Sequence, residues 1–337
     1  MKHKAAPLAV FALLVALTPA LALLPLSAEK SADSAQQAET AEGTAGAPDA
    51  QETVLAYDEA SKQVLELTMD DYVLGAVLCE MPASYEAEAL KAQAVACRSY
   101  ALYVKDLRAR EPLPELNGAY FSVNTAAMIG YMNEEKARSY FGSDFSKYYN
   151  KVKDAVEAVR GCVLTSDGAP ICACYHAISP GRTEDSGNIF AASLPYLASV
   201  DSAADKTAQG YASTATFSPS ELAGILAAND SGFSASGDPS GWLGTTSVSE
   251  AGTVLALSVC GRTFSGTRLR TLLGLRSAAF DVVYDASSSV FVFAVRGYGH
   301  GVGMSQYGAN ALAQQGYTFG QILAHYYTGA QLTSSAE

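Results

Sequence analysis

Leu90, Ala94, Cys97, Ala101 and Val104 recur at alternating steps of four and three residues, which aligns them along one face of an α-helix. A stripe that long cannot stay in water, so the chain must build a core around it. Ser84 is a suitable N-cap for this helix, which the pattern carries to about residue 107. Lys91, Arg98 and Lys105, spaced by sevens, mark a second face. Just upstream, Met81-Pro82 ends another helical pattern, because proline lacks the amide the next turn requires. That shorter helix starts at Thr68, where Thr68-Met69-Asp70-Asp71 resembles a capping box.

Strands are expected around the helix pair at residues 54–57 and 64–67, separated by a polar turn. Residues 111–148 read as irregular, and 151–160 as a helix ended by Gly161. Segments 162–165 and 171–176 flank Ser166-Asp167-Gly168-Ala169, a hairpin pattern. Ser218 caps a short helix through Leu226; strands follow near 254–259 and 280–295, then a glycine-rich loop at 297–308 and a helix over 307–315. No βαβ rhythm and no repeat is visible. The fold class is α+β, one large globular unit over residues 53–333 with a long buried helix.

Residues 5–28 carry no charge and follow Lys2, His3 and Lys4. That is the length of a spanning helix rather than of a secretory core, so a membrane anchor with an extracytoplasmic domain is expected. Pro7, Pro19, Pro25 and the cleavage-like Ala20-Leu21-Ala22 keep secretion after cleavage open. Residues 29–52 lack aromatic and large apolar side chains and read as a linker. A net charge of −12 removes the counterion-release term that drives phosphate binding, so nucleic acid is excluded as a partner. It also disfavours docking on anionic lipid.

Three segments carry candidate chemistry. Glu80 ends an apolar helical turn beside Val77, Leu78 and Met81, where a carboxyl resists ionisation and suits general-acid work. The bland alternative is a helix-end carboxylate paired with Lys91 or Arg98. From Arg296 to Gly308, glycines alternate with Tyr298, His300, Val302 and Met304, and Ser305, Gln306 and Tyr307 follow. Glycines there allow close backbone approach to a ligand, and the three polar groups suit a sugar; the alternative is a tight structural turn. The third segment, Tyr175-His176 to Thr183-Glu184, places polar residues at a strand end. Cys172, Cys174 and His176 share a strand face and, with Cys162, form a weak zinc pattern; Cys172 and Cys174 are not expected to bridge. Cys79 and Cys97 read as buried thiols. A Ser305–His300 triad lacks the strand–elbow–helix context.

Taken together, these segments resemble a known family. Val73-Leu-Gly-Ala-Val-Leu-Cys-Glu80-Met-Pro-Ala-Ser-Tyr, Glu88-Ala-Leu-Lys-Ala-Gln-Ala-Val-Ala-Cys-Arg-Ser-Tyr, Gly299-His-Gly-Val-Gly-Met-Ser-Gln-Tyr-Gly and Ile322-Leu-Ala-His-Tyr-Tyr-Thr-Gly are similar to the stage II sporulation protein D family. The resemblance spans about 54–332. It implies a membrane-anchored lytic transglycosylase acting on peptide-stripped peptidoglycan glycan strands, with an amidase and a membrane scaffold protein as partners. Glu80 falls at the family's catalytic glutamate. Substrate contacts are implied for Gln93, Arg98, His176, Thr183, Glu184, His300, Ser305, Gln306 and Tyr307. The metal cluster of some relatives is not carried over, because residues 117–131 contain neither His nor Cys; no cofactor is expected. Pro180 and Ala177 also depart from the family pattern. Two alternatives accompany this reading. One is a non-enzymatic glycan-binding amidase enhancer. The other is a hydrolase, which needs a second carboxylate near Glu80, with Glu184 the candidate.

Overall fold

The computed structural model describes residues 52–190 and 192–334. The expected anchor (1–28) and nearly all of the expected linker (29–52) lie outside these residues. Among the described residues, no helix is long and apolar enough to cross a membrane.

The architecture is mixed α and β. Strands β1 (Thr53–Asp58) and β2 (Gln63–Thr68) form an antiparallel hairpin that leads into α1 (Met69–Glu80). Thr68 caps α1 as its sequence predicts, its side chain accepting the Asp71 amide. The stripe helix is α2 (Ala87–Arg110), and Leu90, Ala94, Cys97, Ala101 and Val104 are all at most 1% exposed. Burying each such leucine or valine contributes roughly 1.5–3 kcal/mol. Helix α2 starts two residues later than expected. Residues 82–85 form a turn closed by Tyr85 N–H to Pro82 O (2.9 Å), and Glu86, not Ser84, occupies the N-cap. Its amide is satisfied by the Asn310 side chain at 2.8 Å, a partner 224 residues away.

The segment expected to be irregular holds β3 (Phe121–Val123), parallel to β1, and α3 (Glu134–Phe141). Only Ala137 of α3 is buried, so no apolar period announces it. Helix α4 (Phe145–Glu157) begins six residues before the expected start and packs Val152, Ala155 and Val156 inward. Strands β4 (Cys162–Ser166) and β5 (Ala169–Pro170) pair through a turn with Asp167 and Gly168 at positive φ, as the hairpin pattern requires.

Residues 171–174 are not strand. Consecutive bonds from Ala173 N to Ile171 O and from Cys174 N to Cys172 O (both 2.8 Å) kink the chain and bring the two sulfurs to 3.5 Å, closer than one strand face would allow, while both remain free thiols, as expected. The chain re-enters a sheet at β6 (Tyr175–His176), and α5 (Ser186–Ile189) follows.

A second hydrophobic cluster is built by β7 (Ala212–Phe217), α6 (Pro219–Asn229), β8 (Leu243–Val248), β9 (Val254–Val259), β10 (Arg262–Phe264), α7 (Gly266–Leu273), β11 (Phe280–Asp285) and β12 (Val290–Arg296). Its core includes Leu226, Trp242, Phe264, Phe291 and Phe293. The chain then returns to the first cluster through β13 (Met304–Ser305), α8 (Gln306–Gln314), α9 (Phe319–Tyr326) and β14 (Gln331–Ser334). Strand β13 lies parallel to β6, and β14 completes the sheet of β4 and β5.

The glycine-rich loop explains this return. Gly297, Gly299, Gly301 and Gly303 have φ of +78°, +115°, +83° and +71°, a backbone that side chains rarely adopt. A Cβ on Gly303 would sit 2.0 Å from Cys174 O, and one on Gly297 would sit 2.8 Å from Ile178 O. Gly297 and Gly303 therefore pack backbone on backbone against residues 174–180, and for these two the tight-turn alternative describes the loop better than approach to a ligand.

Candidate active site

Glu80 is the last residue of α1, held where Met81 turns extended before Pro82. Val77, Leu78, Cys79 and Met81 around it are buried, while Glu80 itself keeps partial solvent access. Burial pushes its carboxyl up to about 7, and a hydrogen bond from the Gln306 side chain offsets part of that rise. The ion-pair alternative is not realised. Arg98 binds Asp70 (2.7 Å), Lys91 binds Glu88 (2.7 Å), and among the described residues Glu80 makes no salt bridge.

A polar thread runs from Glu80 into the core. Gln306, the first residue of α8, donates from Nε2 to Gln93 Oε1 (3.4 Å). Gln93, fully buried on α2, donates to Cys97 Sγ (3.3 Å), which lies 3.7 Å from the Tyr175 hydroxyl. Tyr175 is driven well up by burial, then by its proximity to Cys97 and Glu80. Gln306 is thus the expected site residue that reaches the acid directly, and Gln93 stands one contact behind it. Removing the Gln306 amide deprives only the ionised form of Glu80 of a partner. In Gln306→Ala the alkaline limb of a pH–rate profile should therefore move upward, by about one unit. An unmoved limb would show that this contact does not tune the acid.

The remaining expected residues take other positions. Arg98 bridges α2 to Asp70, whose second oxygen holds Arg160 (2.8 Å), so it stands apart from Glu80. Ser305 is the N-cap of α8: its hydroxyl donates to Asp205 Oδ1 (2.9 Å) and accepts the Gly308 amide, which leaves no nucleophile for a triad. Thr183 exchanges bonds with Val200. Glu184, 2% exposed, accepts from Ser249 Oγ, the Asp185 amide and Asn188 Nδ2, so both oxygens are engaged. Tyr307 approaches Thr207 (3.3 Å between hydroxyls) and lies near Tyr85, on the turn that follows Glu80.

His176 and His300 form a pair with ring centroids 5.8 Å apart, beside Val302. His176 Nδ1 donates to Val302 O, whereas His300 Nδ1 accepts from Val302 N–H (both 3.1 Å). These bonds fix complementary neutral tautomers, with the proton on Nδ1 of His176 and on Nε2 of His300. Among the described residues, neither Nε2 meets a partner at good hydrogen-bond geometry. Burial lowers His176 to about 4 and takes His300 well below its usual range, with nearby cationic Arg270 adding to both. Both rings are neutral near pH 7.

The native state resists protonating His176 while the unfolded chain takes a proton near 6.5. Stability is therefore full above that value and lost as pH falls toward 4. In the Glu80→Gln background, the chain with His176 should lose roughly 3 kcal/mol more between pH 7 and pH 4 in urea unfolding than one carrying His176→Asn, a comparison that cancels the opposing contribution of Asp205, whose carboxyl burial raises. Equal losses would contradict the neutral buried pair.

Asp205 went unrecognised in the sequence. Fully buried, it makes no salt bridge among the described residues, accepts from Ser179 N and Ser305 Oγ, and has its carboxyl raised by burial. It sits in a stretch of small polar residues that carries no periodic signal. Cys162, Cys172, Cys174 and His176 do not converge, and among the described residues no group of three or more His, Cys, Asp or Glu is arranged around a metal position.

Glu80 is therefore a dry but reachable carboxyl, and the buried carboxylates Glu184 and Asp205 are occupied by internal donors. A family model described as stage II sporulation protein matches residues 57–166, which include Glu80, Gln93 and Arg98. Stage II sporulation protein D of Bacillus subtilis (strain 168) is 33% identical over 343 residues, covering 99% of this chain and 97% of that protein. The protein of the same name from Bacillus amyloliquefaciens is 32% identical over 331 residues, covering 96% and 93%. A protein named amidase enhancer, from Bacillus subtilis (strain 168), is 29% identical over 308 residues, covering 77% of this chain and 40% of that protein.

Proposed function

The chain belongs to the stage II sporulation protein D family, and from that premise we propose that it is a lytic transglycosylase of peptidoglycan. Its substrate is the glycan strand, stripped of stem peptides. Protonated Glu80 gives its proton to the oxygen joining C1 of N-acetylmuramic acid to N-acetylglucosamine. The C1–oxygen bond breaks as the C6 hydroxyl of the same muramic residue closes on C1. The hydroxyl proton returns to Glu80, which acts as acid and then as base. The products are a free hydroxyl end and a 1,6-anhydro end, and no water is consumed.

The observation that carries this reading is the solitary, desolvated Glu80. A two-carboxylate glycosidase needs a second carboxylate placed to activate water or attack the sugar. Glu184, the candidate for that role, is engaged through both oxygens and almost wholly buried. A domain held outside the membrane by residues 1–28, working beside an amidase and a membrane scaffold protein during sporulation, completes the proposal.

A second reading follows from the relative named amidase enhancer: the domain grips glycan and stimulates a separate amidase. Incubating the full chain with peptide-free strands separates the two. Ends one water lighter than reducing ends support the transglycosylase. Reducing ends support a hydrolase. Uncut strands with an accelerated amidase support the enhancer.

A further inference from the structure

Between α2 and α4 lies an open cleft of about 570 Å3, within the roughly 300–1,000 Å3 typical of small-ligand sites. Lys91 lines it from α2; Lys147, Lys151, Ser146, Asn150 and Asp154 line it from α4, over a floor of alanines. Three cations against one anion stand out in a chain of net charge −12. Among the described residues, neither Lys147 nor Lys151 has a carboxylate partner. Lys147 is exposed and rests 5.0 Å from the Tyr148 ring centroid. Lys151 donates to the carbonyls of Ser84 (3.3 Å) and Tyr85 (2.5 Å). Those carbonyls belong to the turn that leaves Glu80, so the cleft abuts the acid's own support. Lys147 and Lys151 are four apart on one helical face, where like charges repel and cost stability. Two cations without carboxylate partners, kept together over a hollow, point to an anion that enters it.

We propose that this cleft is a carboxylate-binding subsite that takes the lactyl carboxylate of an N-acetylmuramic residue near the cleaved bond. The inference rests on the proposed glycan substrate and deepens it. Lysine supplies a mobile point charge for the carboxylate, and Ser146 and Asn150 supply a hydroxyl and an amide for sugar hydroxyls. The subsite gives the chain a means of telling muramic-acid-containing glycan from an uncharged polymer of N-acetylglucosamine.

The test reads binding in the full chain carrying Glu80→Gln, so that nothing is consumed. Adding Lys147→Glu should weaken binding of peptide-free strands at least tenfold and leave chitin oligosaccharides, which lack lactyl groups, unchanged. Lys147→Arg should restore binding, and amidating the strands' carboxylates should weaken them by the same factor. Equal affinity with and without Lys147→Glu would overturn the subsite, as would an equal loss on chitin. A loss confined to peptide-bearing peptidoglycan would assign the cleft to stem-peptide carboxylates instead and overturn the lactyl assignment. Absence of anhydro ends with the unsubstituted chain would defeat only the catalytic reading, because the binding comparison does not depend on cleavage.

Discussion

Glu80→Gln should abolish glycan cleavage and, at pH 8, make the protein more stable than the unsubstituted chain. A positioned general acid contributes about 10²–10⁴-fold, and the loss should lie near the upper end because one carboxyl serves as both acid and base. The stability gain has the same physical origin. Burial raises the Glu80 carboxyl from 4.5 to about 7, so the native state binds its proton more tightly than the unfolded chain does. Below 4.5 both states are protonated and glutamine, an isostere of the neutral acid, changes little. As pH rises through 7, the native state must hold a charge that water would solvate better. After discounting for the side chain's partial solvent access, the variant should gain about 2–3 kcal/mol above pH 7, with the gap closing toward pH 4.5. Urea denaturation of both proteins at pH 4.5 and pH 8 measures it. Equal stability at both values would mean that Glu80 is not desolvated.

Gly303→Ala should have the largest structural effect of any single methyl addition in the loop. Gly303 has φ of +71°, and the new Cβ would lie 2.0 Å from the carbonyl oxygen of Cys174. That oxygen cannot easily withdraw, because it accepts from Met304 N (3.1 Å) and from the Tyr327 hydroxyl (2.9 Å). Separating β6 from β13 would also disturb the Ser305 cap and with it Gln306. A loss of at least about 3 kcal/mol is expected, against about 1–2 kcal/mol for the left-handed backbone alone. Gly316→Ala provides the comparison, since Gly316 has φ of +90° with nothing within 4 Å of the added Cβ. Thermal unfolding of the two variants should separate clearly. Equal melting temperatures would mean that the loop yields where its hydrogen bonds say it is held.

What the sequence reveals divides along the range of the interactions involved. The α2 stripe, the Thr68 cap, the Ser218 cap and β9 depend on neighbours a few residues away, and periodicity or capping chemistry exposes them. The environment of Glu80 was readable for the same reason: its apolar neighbours are largely those of its own helix. Side-chain assignments that depend on distant partners were not readable. Ser305 has the residue type of a sugar contact, but its hydroxyl is committed to Asp205, 100 residues away. Glu184 has the residue type of a second catalytic carboxylate, but Ser249, 65 residues away, takes one oxygen. Arg98 looks like a cation for Glu80 until α1 places Asp70 against it. The kink at 171–174 replaces a strand because Cys174 O must meet both the glycine loop and Tyr327, a constraint absent from local propensity.

Infrared difference spectra of the full chain against Glu80→Gln, recorded across pH, isolate the carbonyl stretch of one protonated carboxyl. The account predicts a band that persists at neutral pH and vanishes with a midpoint near 7. A midpoint at or below 4.5, the ordinary value for a solvated glutamate, would contradict it and leave Glu80 no proton to donate.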